Sequence, residues 1–167
     1  GWDKLKGKKI AVVFHDSAFG KELLPIVTER SKMHGFELLL LPVPAPGVEQ
    51  KAIWLQVRQQ KPDFVVMQTW GVMTPTAIKE AVATGYPREK MFGTWWSGAE
   101  PDLKDVGAAA KGYSAVMMQH GAEPQSQVVK EILDKVHGKG QGTGPKDEVG
   151  SVLYMRGVIG AMLATEG

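Results

Sequence analysis

Residues 8–23 read "KKIAVVFHDSAFGKEL". Ile10-Ala11-Val12-Val13-Phe14 is a short apolar run, rich in β-branched side chains and free of polar alternation, which reads as a strand buried on both faces. His15-Asp16-Ser17 supplies a polar turn. From about Gly20 to His34 the pattern changes to that of a helix, with Leu23, Leu24, Val27 and Ser31 on one side, Pro25 near its first turns, and Gly35 as the C′ residue. A doubly buried strand that passes at once into a helix is the repeating unit of a parallel sheet.

Working outward, the same cycle recurs. Phe36 to Leu41 reads as a second strand, and Val48 to Gln60 as a helix carrying Ile53, Trp54 and Val57, stopped by Pro62. Asp63 to Met67 is a third strand. It leads to a helix that starts with Thr74 as N-cap and Pro75 at the first helical position and ends at Gly85. Met91 to Thr94 and Tyr113 to Met118 complete five strands. Pro124 opens a helix carrying Val128, Val129, Ile132, Leu133 and Val136. The glycine-rich stretch 137–145 is a flexible loop; it follows a helix, so its Gly-Lys pairs are not a phosphate loop. Ser151 to Thr165 places Val152, Met155, Ile159, Met162 and Leu163 on one face of a last helix. The alternation predicts an α/β fold: a three-layer, doubly wound, mostly parallel five-stranded sheet with helices on both faces.

The 167 residues, 43% of them hydrophobic, suit one compact unit over residues 1–167. The 20 basic and 18 acidic residues are spread along the chain, so nucleic acid and anionic lipid are not expected partners. With no cysteine, disulfides, thiolate zinc sites and a cysteine nucleophile are excluded. No apolar run approaches the ~20 residues of a membrane span. Gly1-Trp2-Asp3-Lys4 lacks the apolar core of a signal peptide, and the chain reads as a soluble, mature or truncated piece.

In an open α/β sheet, ligands settle beyond the carboxyl ends of the strands. Here the first strand exits into His15-Asp16-Ser17-Ala18-Phe19, the third into Gln68-Thr69-Trp70-Gly71, and the fourth into Trp95-Trp96-Ser97-Gly98. Each exit carries an aromatic. Adjacent tryptophans on a strand would point to opposite faces, so Trp95 and Trp96 cannot both fill one core layer. The candidate ligand-binding residues are therefore Phe19, Trp70, Trp95 and Trp96, with Ala18, Thr69 and Gly71 beside them. The competing reading is that these rings cap the sheet edge under a loop.

Chemistry-bearing motifs are sparse. His15, His34, His120 and His137 lack metal-site spacing, no cofactor motif appears, and neither Gly-x-Ser-x-Gly nor Gly-x-Gly-x-x-Gly is present. His15-Asp16-Ser17 contains the residue types of a hydrolase triad, but neighbours on an extended turn are not expected to face one another, and Asp16 and Ser17 read as helix caps. Glu100, Asp102 and Asp105, around Pro101, read as a solvated turn.

The order of these features resembles the second lobe of a type I periplasmic substrate-binding protein of ABC transporters, in the branched-chain amino acid group (Leu/Ile/Val-binding protein-like). The first stretch resembles that family's strand, acidic turn and aromatic-Gly pair, with Phe19-Gly20 where Tyr-Gly is usual. "KPDFVVMQTWG" (61–71) resembles its Pro-Asp strand, "AIKEAVATGY" (77–86) the next helix, "GAAAKGYSAV" (107–116) the strand after a variable turn, and "YMRGVIGAMLATEG" (154–167) the helix that returns toward the first lobe. The resemblance implies two lobes closing on a small ligand, a first lobe absent from this sequence, delivery to an ABC permease, and a periplasmic location. It aligns Phe19 with the family's ligand-flanking aromatic and Trp70 with an aromatic after the third strand of the lobe. Trp95 falls where amino acid binders place an acidic residue, which disfavours a primary amino acid; a wall of Phe19, Trp70 and Trp95 suits an aromatic or apolar carboxylate or an amino acid-like ligand, and equally a quaternary ammonium held by cation–π attraction. The leading expectation is a non-enzymatic solute-binding component. The alternatives are an effector-sensing domain of the same fold and a small α/β hydrolase using His15 or Asp16.

Overall fold

The computed structural model describes residues 1–119 and 121–166. His120, among the histidines considered above, and Gly167 lie outside the described residues. The chain gathers into two compact units: residues 1–98 with 102–116, and residues 99–101 with 117–167.

The first unit is built on β1 (Lys9–His15), β2 (Glu37–Val43), β3 (Phe64–Gln68), β4 (Met91–Gly93) and β5 (Ser114–Ala115). They form one five-stranded sheet in the order β2-β1-β3-β4-β5, and every pairing is parallel. Residues 10–14 of β1 are all buried, as expected of a strand with a layer on each side. Ala11 and Val13 share a core with Leu41, Val43, Val65, Met67 and Met91 of the neighbouring strands. That face is covered by α3 (Lys51–Gln60) through Trp54 and Val57, and by α4 (Met73–Thr84) through Met73, Ala77, Ile78 and Ala81. Ile10, Val12 and Phe14 alternate to the opposite face. There α1 (Ala18–Lys21) packs on β1 and α2 (Leu23–His34) on β2.

Several boundaries differ from the sequence reading. The first helix is two, because Pro25 has no N–H to give the Lys21 carbonyl; the break leaves it in the first turn of α2, where none is needed. Its expected inner side, Leu23, Leu24, Val27 and Ser31, is only half-buried. Val48 lies outside α3 and is exposed. Thr74 and Pro75 are the second and third residues of α4 rather than its cap and first residue. The fifth strand shrinks from the expected 113–118 to two residues. Gly35 and Gly85 do end their helices in the left-handed conformation, at φ 69° and 73°.

Asp63 fixes the start of the β1–β3 pair. Its Oδ2 accepts from the Lys9 backbone N–H at 2.9 Å, and its Oδ1 lies 3.1 Å from Lys8 Nζ. The Lys9 amide and then the Lys8 ammonium hold its carboxyl below the ordinary value of 3.8.

After the single turn α5 (Glu100–Leu103), the second unit holds α6 (Gln127–Ile132), continued as a π-turn over Leu133–His137, and α7 (Val152–Glu166). The Pro124 start is moved to Gln127. In α7, Val152 and Met155 are buried, whereas Ile159, Met162 and Leu163 of the expected apolar face stay exposed. Glu100 Oε2 accepts from the Val152 N–H at 3.1 Å, tying the start of α7 to residues 99–101.

Two outcomes follow. Trp54 is fully buried with its Nε1–H donating to Gln50 Oε1 at 3.2 Å, so Trp54→Ala is expected to cost about 3–5 kcal/mol in urea unfolding. A carboxyl lowered in the folded state contributes stability above its unfolded value and loses it as pH falls through the folded one. Asp63→Asn is therefore expected to flatten the acid side of a Tm-against-pH profile below about pH 4.

Candidate functional site

The strand order places the switch point between β1 and β3. From β1 the chain moves outward through α1 and α2 to β2, then crosses through α3 to β3 on the other side of β1. The connections leave on opposite faces, which opens a crevice at the carboxyl ends of the two strands. A cavity of about 340 Å³ occupies it, lined by His15, Ser17, Phe19, Trp70 and Trp96. That volume lies at the lower end of the range for small-ligand pockets.

A buried hydroxyl cluster fastens the exits of β3 and β4 together. Thr69, Thr74 and Ser97 are each fully buried. Ser97 Oγ accepts from the Thr69 N–H at 3.2 Å and lies 2.8 Å from the Thr69 carbonyl, 3.0 Å from the Met67 carbonyl and 3.1 Å from Thr69 Oγ1. Thr69 Oγ1 in turn lies 3.0 Å from Thr74 Oγ1. Thr74 was thus recruited by the site rather than by the helix start. Tyr113 Oη donates to the Ser97 carbonyl at 2.9 Å, and burial pushes its phenol well above the ordinary value. A Cβ on Gly93 would lie 2.0 Å from that hydroxyl, so only glycine admits the contact.

The adjacent tryptophans do not lie on a strand. β4 ends at Gly93, and Trp95–Gly98 form a 3-10 turn in which neighbours point in different directions. Trp96 reaches the cavity and meets Phe19 edge-on, with centroids 6.5 Å apart at 84°. Trp95 does not line it; its ring leans on Trp96 at 4.3 Å and 37°. Trp70 is 54% exposed and meets His15 edge-on at 6.2 Å.

Of the other expected residues, Thr69 lies beneath the wall in the hydroxyl cluster, Ala18 is exposed on α1, and Gly71 turns the chain at φ 52°. The Gly71 N–H donates to the Asp102 carboxylate, and burial nevertheless holds that carboxyl above its ordinary value. Asp102 was expected on a solvated turn; half-buried, it positions the Trp70-Gly71 loop. Gln68 Nε2 donates to the Phe19 carbonyl at 3.4 Å and joins the first exit to β3.

His15 and Ser17 were set aside because residues two apart on a turn were not expected to meet. They do meet, with His15 Nδ1 2.7 Å from Ser17 Oγ. The turn tightens through Ser17 N–H donating to the His15 carbonyl at 2.8 Å, and a Cβ on Gly20 would lie 1.7 Å from that same carbonyl oxygen. Ser17 caps α1 as expected, its Oγ accepting from the Gly20 N–H at 3.4 Å. Asp16 turns away and pairs with Lys21 at 2.6 Å, so no triad forms. The sequence signal was their place at a strand exit.

A doubly wound parallel sheet with an aromatic hollow at its switch point has the architecture of a small-molecule-binding α/β lobe. The chain belongs to the periplasmic binding protein family, whose model matches residues 2–167. A structure from the Pseudomonas fluorescens group, described as an ABC transporter permease, is 40% identical with a TM-score of 0.83, over 98% of this chain and 40% of that one. A Thermus thermophilus branched-chain amino acid ABC transporter structure with bound valine shares the fold at 22% identity and TM-score 0.77, over 99% of this chain and 42% of its own. A Rhodopseudomonas palustris solute-binding protein in complex with benzoate shares it at 19% identity and TM-score 0.63, over 81% and 38%. The chain thus spans about two fifths of these structures. No curated protein matches it.

Ser97→Ala would leave the buried Thr69 N–H without its acceptor, and is expected to cost about 1–3 kcal/mol in chemical denaturation. Gly20→Ala is expected to destabilise the first unit and to change the fluorescence of Trp70 and Trp96, since His15 and Phe19 must shift to admit the methyl group.

Proposed function

We propose that this chain is the ligand-binding part of a solute receptor of an ABC importer, working in the periplasm and catalysing no reaction. Its ligand is a small aromatic or apolar carboxylate, held against Phe19, Trp70 and Trp96. A second lobe of the same protein completes the cleft, and the loaded receptor delivers its cargo to a membrane permease.

The observation that carries this reading is the single hollow at the β1–β3 switch point, walled by aromatic rings drawn from three strand exits. Rings contribute large apolar area, and each stacked or edge-on pair adds about 0.5–1.5 kcal/mol beyond it. Family membership supports the binding role. The benzoate complex of the structural neighbour supports an aromatic acid, while the valine complex of another keeps amino acids within the screen. Among the described residues no acidic side chain lines the hollow to pair with an ammonium group, which favours a carboxylate without one.

A thermal-shift screen of the full-length protein against aromatic acids, aliphatic acids, amino acids and betaines tests the class, since a ligand that binds only the folded state raises Tm. Aromatic acids are expected to stabilise most; stabilisation by betaines alone would point to cation–π capture instead. Trp96→Ala is expected to weaken binding at least about tenfold, and Trp95→Ala less, because it acts through Trp96. Unchanged affinity in Trp96→Ala would overturn the assignment of the wall.

A further inference from the structure

Within the aromatic hollow, the polar side chains are His15 and Ser17. The Ser17 hydroxyl is committed. Its oxygen accepts from the Gly20 N–H at 3.4 Å and lies 2.7 Å from His15 Nδ1, a contact in which either atom can be the donor. That contact engages Nδ1, so in the neutral ring Nε2 is a donor where Ser17 gives its proton and an acceptor where Nδ1 gives its own. Nε2 makes no hydrogen bond among the described residues. The ring is also held in place, by its edge contact with Trp70 and by a backbone turn that Gly20 keeps tight against the His15 carbonyl.

A ligand that covers this wall strips water from Nε2, which costs free energy unless the ligand returns a hydrogen-bond partner. A hydroxyl, which both donates and accepts, satisfies Nε2 in either tautomer, whereas a neutral imidazole is a poor match for a carboxylate, whose desolvation requires several donors or a positive charge. We propose that His15 is a specificity-determining residue, its Nε2 selecting aromatic acids that carry a hydroxyl on the ring over analogues of the same shape that carry a methyl group. This rests on the hollow being the ligand site.

The test pairs hydroxybenzoates with the corresponding methylbenzoates in calorimetric titrations of the full-length protein, its His15→Phe and His15→Gln variants, and Trp96→Ala. The wild type is expected to prefer at least one hydroxybenzoate isomer by about fivefold. His15→Phe should erase that preference, lowering hydroxybenzoate affinity more than methylbenzoate affinity. His15→Gln, whose amide can donate or accept, should retain part of it, and Ser17→Ala, which releases Nδ1, should reduce it and serves in place of His15→Phe if that variant does not fold. Absence of a preference in the wild type, its survival in His15→Phe, or equal loss of both ligands in the His15 variants would overturn the proposal. Equal loss would mean that His15 meets the common carboxylate or merely supports the wall. If Trp96→Ala weakens both ligands while the preference is missing in the wild type, the binding site stands and the role of His15 falls. If no aromatic acid binds the wild type, the proposal falls together with the aromatic part of the ligand class, and the thermal-shift screen decides whether the receptor reading stands.

Discussion

The first unit depends on β1 being paired on both edges and covered on both faces. Parallel pairing to β2 on one side and β3 on the other requires the chain to cross over β1, and that crossing separates the helices onto opposite faces. The crevice at the carboxyl end of β1 is a consequence of that geometry rather than of any loop insertion. Asp63 fastens the opposite, amino-terminal end of the same strand pair through Lys8 and Lys9.

On that frame the site is assembled by short-range polar contacts below the aromatic surface. Ser97, Thr69 and Thr74 hold two strand exits at a fixed separation, Gln68 reaches the Phe19 carbonyl, and Asp102 holds the Gly71 amide. None of these groups needs to touch a ligand. They set where Trp70 and Trp96 stand, because each ring is carried on the stretch of backbone that these contacts hold. The apolar wall is thus supported by a polar underside shielded from water, where unmade hydrogen bonds are costly.

Much of the fold was legible in local pattern. The run Ile10–Phe14 could be recognised as a central strand because burial on both faces removes polar alternation, and Gly35 and Gly85 could be recognised as helix ends because a left-handed C′ residue favours glycine. The errors fell where a side chain served a distant partner. Thr74 looks like a helix cap in sequence and is instead bound to Thr69; residues 113–118 look like a full strand, yet only two of them pair with β4.

The sequence by itself determined the alternation of strands and helices, and hence the parallel sheet and the three aromatic-bearing exits, since these follow from periodicity and from residues that restrict φ and ψ. Only the tertiary structure decided which rings share a hollow. Trp95 and Trp96 are equivalent as letters, but the 3-10 turn aims one at Phe19 and leaves the other to back it. It also decided that His15 meets Ser17 while Asp16 turns to Lys21, because both outcomes depend on how closely Gly20 lets α1 approach the end of β1.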